Sequence, residues 1–201
     1  MSEPIIERLG PPHREEVLAV LAAAFHEYPV MRFTLGSTQT YETDLRRLIG
    51  FYIDKRLLPG WPVLGVRDPS GWLVAATVVN DPDRDPSPAT AAALTALRSA
   101  IGEEAFGRMS AFEAACDESE PKTRHYYVGM LGVHPTARGR GHAGRLLAMV
   151  HQMAADRGYD GVCLSTEDAG NLPFYRHHGY RIHAEARVDT LTTWTLFRAA
   201  G

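Results

Sequence analysis

The stretch from Leu131 to Leu147, LGVHPTARGRGHAGRLL, constrains this chain more than any other. An apolar run from Arg124 to Val133 reads as a strand. It enters a turn dense in glycine and arginine, and the turn opens a helix over Gly141 to Arg157. Ala143, Leu146, Leu147, Val150 and Ala154 fall on one face of that helix. Val162 to Ser165 then reads as a short buried strand, so the segment predicts a strand–helix–strand crossover. Gly139, Gly141 and Gly144 allow the backbone to approach a ligand closely. The helix start adds unpaired N–H groups and the positive end of its dipole. Arg138, Arg140 and Arg145 place positive charge beside them. Together these features suit a phosphate or pyrophosphate.

The rest of the chain reads as mixed α and β. Ile5 to Arg8 is a strand candidate. Val17, Leu18, Leu21 and Phe25 recur at helical spacing, and Tyr28-Pro29 is expected to stop that helix. A second helix is expected over Tyr41 to Leu57, with Leu45, Leu48, Ile49 and Tyr52 on one face. Trp61 to Arg67 and Trp72 to Val79 form a hairpin around Asp68-Pro69-Ser70-Gly71. Asn80 to Pro88 is a loop. Ala89 to Ala115 holds two helices broken near Gly102, followed by a polar link from Asp117 to Lys122. A short helix over Asn171 to His178 precedes two strands, Tyr180 to Arg187 and Thr192 to Phe197.

Composition removes several function classes. The 201 residues are 45% hydrophobic and 22% charged, which suits one globular domain spanning 1–201. A net charge of -3 gives no basic surface for a nucleic-acid backbone. The longest apolar run, Val17 to Phe25, is roughly half of a membrane span, and the N-terminus lacks the pattern of a secretory signal. No nucleic-acid or membrane partner is therefore expected. Cys116 and Cys163 cannot build a disulfide framework or a zinc site, which suits reduced thiols in a cytoplasmic protein. Cys163 reads as core because no histidine partner for a nucleophile is identifiable. His177 and His178 are adjacent on a helix and diverge by about 100 degrees. With no third ligand in register, no metal site is expected.

The glycine turn admits competing readings. A dinucleotide fingerprint would need its first glycine at the strand's end, whereas Pro135 breaks the strand before Gly139. Too little chain follows Gly144 for a doubly wound sheet, which disfavours a nicotinamide-dependent oxidoreductase. A P-loop fails because no Gly-Lys-Ser/Thr follows. By contrast, Arg138-x-x-Gly141-x-Ala143 resembles the acyl-CoA pyrophosphate motif of the GNAT superfamily of N-acyltransferases, Arg/Gln-x-x-Gly-x-Gly/Ala, with Val133-x-Pro135 upstream. Asn171-Leu172-Pro173-Phe174-Tyr175-Arg176-His177-His178-Gly179-Tyr180 resembles that family's second signature, roughly 30 residues downstream. The resemblance covers residues 124 to 198, and its details look most like the puromycin N-acetyltransferase-like branch. His142 stands where an aliphatic residue is usual.

The resemblance implies a fold, a donor and an activity. The fold is α/β (α+β) of GNAT type: a mixed, mostly antiparallel central sheet splayed between strands 4 and 5 and flanked by helices. The donor is acetyl-CoA, with no metal. The activity is acetyl transfer to a primary amine of a small-molecule acceptor, by a monomer or homodimer. A non-catalytic acyl-CoA-binding sensor is the alternative. The family's strand 4 carries a bulge before the turn, and Leu131-Gly132-Val133 is the matching place, where Gly132 suits a bulge. The resemblance assigns cofactor contacts to Leu131, Gly132, Val133, Arg138, Gly139, Arg140, Gly141, His142, Ala143, Gly144, Arg145, Asn171 and Tyr175. It makes Tyr175 the acid that protonates the departing thiolate; a phenol's reference pKa of about 10 suits that transfer. The base stays open. Tyr127 falls where several relatives carry a catalytic glutamate, so a carboxylate is absent there. Alternation places His125, Tyr127 and Gly129 on one strand face. Histidine titrates near neutrality, making His125 one candidate. Glu27, after the first helix, is another. An amine arriving neutral would need no strong base.

Overall fold

The computed structural model describes residues 5–200. These form one seven-stranded sheet in the order β1-β2-β3-β4-β5-β7-β6. The strands are β1 (Ile6–Arg8), β2 (Val63–Arg67), β3 (Leu73–Asn80), β4 (His125–Val133), β5 (Gly161–Thr166), β6 (Arg181–Val188) and β7 (Leu191–Ala199). Every neighbouring pair is antiparallel except β4–β5. Helices α1 (Arg14–Phe25), α2 (Pro29–Leu35), α3 (Tyr41–Leu57), α4 (Ala89–Ile101) and α5 (Glu103–Ser119) share one apolar cluster. The second cluster lies around α6 (His142–Asp156) and α7 (Leu172–His177). No helix among the described residues is long and apolar enough to cross a membrane.

Local patterning explains most of these elements. On α6, Leu146, Leu147, Val150 and Ala154 are all buried, as the spacing requires. On α3, Leu45, Leu48 and Ile49 are buried while Tyr52 is partly covered. Gly102 turns the chain between α4 and α5 at φ +82°, a conformation that disfavours other residues. The β2–β3 turn closes with Gly71 N–H donating to the Asp68 carbonyl and the Ser70 N–H to its carboxylate. Two expectations differ. Tyr28-Pro29 ends α1, but Pro29 also begins α2, because proline at the first helical position loses no needed hydrogen bond. The expected polar link after residue 116 continues as helix through Ser119.

The parallel pairing decides where a cleft can form. β4 and β5 pair from His125↔Gly161 to Val128↔Leu164 and then separate. From Gly129 onward, β4 is bonded only on its β3 side. The bulge is not at Leu131–Val133, which pair in regular register with Thr77, Ala76 and Ala75. It lies at Gly129, since Met130 faces Val78 while Val128 faces Val79. Gly132 serves packing instead: a Cβ there would fall 2.7 Å from Leu21 Cδ2 and 2.9 Å from Ala24 Cβ on α1.

Candidate active site

A cavity of about 180 Å³ opens where β4 and β5 part. Its floor is Tyr127, Gly129 and Leu131 of β4 with Ser165 and Glu167 at the end of β5. α3 and α5 wall it with Tyr52, Arg56, Glu113 and Cys116, and α7 contributes Tyr175.

Tyr175 is 9% exposed, packed between Phe174 and Tyr180 at ring distances of 5.2 and 5.8 Å. It lines the cavity. Burial, with the Glu167 charge behind it, raises the phenol well above its ordinary range, so it carries its proton. Glu167 follows the last β5 residue and accepts a hydrogen bond of 2.8 Å from Thr193 Oγ1. Burial pushes its carboxyl up to about 7. That places one proton donor and one carboxyl poised near neutrality in a single cavity.

The corner between α1 and α2 straps this end of the sheet. Tyr28 Oη lies 2.8 Å from Thr166 Oγ1 and accepts from the Glu167 N–H at 3.2 Å. Asn171 does not cap α7 with its side chain; its amide donates to Thr166 Oγ1 at 3.3 Å, which turns it to the cavity.

The other base candidates lie elsewhere or are neutral. Tyr127 lines the cavity, but burial holds its phenol well above the ordinary range, so it is no base near neutrality. His125 sits at the start of β4, its Nδ1 2.7 Å from the Thr123 carbonyl and its ring edge-on to Phe197, outside the cavity lining. Glu27 is exposed and paired with Arg32 and His26; Arg32 holds its carboxylate below the usual range. It borders an open groove of about 580 Å³ with Arg138, Pro135 and Asp168, away from Tyr175. Cys116 borders the cavity, its thiol pushed up to about 12 by burial, and Cys163 is buried.

The glycine turn has the geometry of an anion cradle. Gly139 and Gly141 adopt φ +77° and +78°, and nothing occupies the space a Cβ would fill at either. The first helical bond of α6 runs from Arg145 N–H to the Gly141 carbonyl, leaving the N–H groups of His142, Ala143 and Gly144 without intrahelical acceptors. Arg138, Arg140 and Arg145 make no ion pair among the described residues, and Arg138 Nη2 donates to the Ala24 carbonyl at 3.2 Å. These groups fit the diphosphate of a nucleotide-containing donor. Gly144 has a packing duty as well: a Cβ there would meet the His178 ring at 2.7 Å. His142 is buried with Nδ1 unpartnered, and burial lowers its basicity.

Sequence reading missed Glu167, Tyr28 and Arg56. One signal for Glu167 was present. It ends a strand that lies parallel to its neighbour, and the carboxyl edge of parallel strands is where ligands bind.

Comparison with known proteins agrees with this architecture. The family described as Acetyltransferase (GNAT) domain matches residues 100–182. A Corynebacterium glutamicum structure described as histone acetyltransferase HPA2 and related acetyltransferase superposes with a TM-score of 0.77 at 18% identity, covering 98% of this chain and 96% of its own. Drosophila melanogaster polyamine N-acetyltransferase gives 0.64 at 17% identity, with 97% and 98% coverage. Aedes aegypti arylalkylamine N-acetyltransferase 2 gives 0.67 at 12% identity, with 100% coverage of both chains. The β4–β5 splay and the cradle beyond it are thus set in a chain that has the GNAT fold, and the GNAT acetyltransferase family's model matches its residues 100–182.

Proposed function

We propose that the protein transfers an acetyl group from acetyl-CoA to a primary amine of a small molecule. The observation that carries this reading is the convergence of Tyr175 and Glu167 on one cavity that β4 lines, with an anion cradle in the turn that follows β4. When bound, acetyl-CoA supplies the activated acyl carbon: the new C–N bond forms there, the C–S bond breaks, and the thiolate leaves. Arg138, Arg140 and Arg145, with the free N–H groups of the turn, hold its phosphates. The unpaired edge of β4 beyond Val128 offers backbone N–H and C=O groups to its arm.

Glu167 takes the proton that the attacking amine loses, and Tyr175 Oη gives one to the sulfur. A carboxyl poised near 7 is matched to that task. A phenol raised by burial is a weaker acid than in water. The same burial makes the thiolate a stronger base, so the transfer keeps its driving force. Solved structures of this fold include enzymes described as acting on polyamines and arylalkylamines, which supports a small amine acceptor. We place the reaction in the cytoplasm. A screen of amines with acetyl-CoA, read by release of free thiol, tests the proposal. Amine-dependent release is expected; acetyl-CoA binding without release across the panel would leave a sensor and overturn the enzyme.

A further inference from the structure

The cavity holds a positive charge that nothing described so far uses. Arg56, near the end of α3, is 4% exposed. Its Nε donates to Asn80 Oδ1 at 2.9 Å and its Nη1 to the Tyr52 carbonyl at 3.0 Å. Nη2 has no acceptor and the guanidinium has no carboxylate at ion-pair distance among the described residues. Yet Nη2 lies over the β4 bulge: a Cβ at Gly129 would fall 2.5 Å from it. Glycine at that position leaves room for the guanidinium at the cavity wall. Lys55 beside it also borders the cavity, with no ion pair among the described residues, and burial and Arg56 lower its basicity. A desolvated guanidinium with a free edge is matched by a carboxylate, which accepts its paired N–H groups.

We propose that Arg56 docks a carboxylate of a reacting partner in this cavity, so that the preferred acceptor is an amino acid-like molecule rather than a plain amine. This rests on the acetyl-transfer reading above. The cavity's lining supports the acceptor as the source. Gly129, against which the Arg56 guanidinium sits, and Glu167, the proposed base, border one space, so a carboxylate at the first and an amine at the second can belong to one small molecule. A carboxylated acyl group on the donor presents the same chemistry, and the assay separates the two. Glu113 is near enough to Tyr52, Lys55 and Arg56 for its charge to act on all three, and with Asp117 and Glu120 it would instead favour a second cation on the acceptor.

The test compares kcat/KM, per unprotonated amine, for matched acceptors with and without the carboxylate: 4-aminobutyrate against butylamine, phenylalanine against 2-phenylethylamine, arginine against agmatine. We expect the carboxylated member to be favoured by about 10- to 100-fold in the wild-type protein, the range of a charge-assisted pair. In Arg56→Gln, which can still bond Asn80, the ratio should fall toward one. The donor arm pairs butylamine with succinyl-CoA and with acetyl-CoA. A succinyl preference that Arg56→Gln abolishes keeps the carboxylate at Arg56 and moves its source to the acyl group. Equal rates within every pair, or a preference for the plain amines, overturn the proposal while leaving acetyl transfer intact. A binding arm is independent of turnover: with CoA present, 4-aminobutyrate should raise the wild-type Tm, and butylamine should not. No difference between them, together with no succinyl preference in the wild-type protein, overturns the proposal even if Arg56→Gln fails to fold.

Discussion

Substituting Glu167 by glutamine separates a catalytic carboxyl from a structural one. The group ordinarily titrates at 4.5, and burial raises it to about 7. Between those values the folded protein holds a proton that the unfolded chain has released. Stability therefore falls as pH rises from about 4.5 to about 7 and then levels off. The gap corresponds to about 3–4 kcal/mol at most, since each pH unit is worth about 1.4 kcal/mol. Glutamine keeps an oxygen for Thr193 Oγ1 and carries no charge to desolvate. Denaturant unfolding at pH 5 and pH 8 should thus show Glu167→Gln gaining stability relative to wild type at pH 8. Activity should move the other way. Without a base, kcat/KM with a fixed amine should fall roughly 10²-fold or more. The wild-type acid limb near pH 7, where protonation removes the base, should vanish. A variant as fast as wild type, with the limb near 7 retained and chemistry shown to be rate-limiting, would refute the reasoning.

Tyr175→Phe keeps the ring against Phe174 and Tyr180 but removes the proton donor; acetyl-CoA affinity should hold while kcat drops roughly 10²-fold in steady-state assays. Gly141→Glu adds a carboxylate and a Cβ at φ +78°, and calorimetric titration should find acetyl-CoA binding lost in a folded protein. Affinity for acetyl-CoA should fall with rising salt, because Arg138 and Arg140 are exposed and their attraction is screened beyond about 8 Å at physiological ionic strength. Gly132→Ala pushes a Cβ against Leu21 and Ala24 and should cost about 1–3 kcal/mol in denaturant unfolding without changing donor affinity.

What the sequence by itself determined was local. The spacing of Leu146, Leu147, Val150 and Ala154 set the buried face of α6, and Gly139 and Gly141 marked the turn whose positive φ the structure uses. The bounds of α3 and the break at Gly102 followed from patterning and from a residue that tolerates φ +82°. These depend on neighbours within a few positions, so composition and period carry them. Only the tertiary structure decided what lines the cavity between β4 and β5. Glycine at 129 and at 132 looks alike in sequence; one meets Arg56 from α3 and takes the bulge, the other meets α1. Glu167 and Tyr175 share a cavity because the fold brings the end of β5 and α7 to one space, and Glu27 leaves it because Arg32 and His26 hold it at the surface. A basic carboxyl arises from desolvation by groups distant in the chain. Burial is a property of the assembled fold, which is why sequence left the choice of a base open.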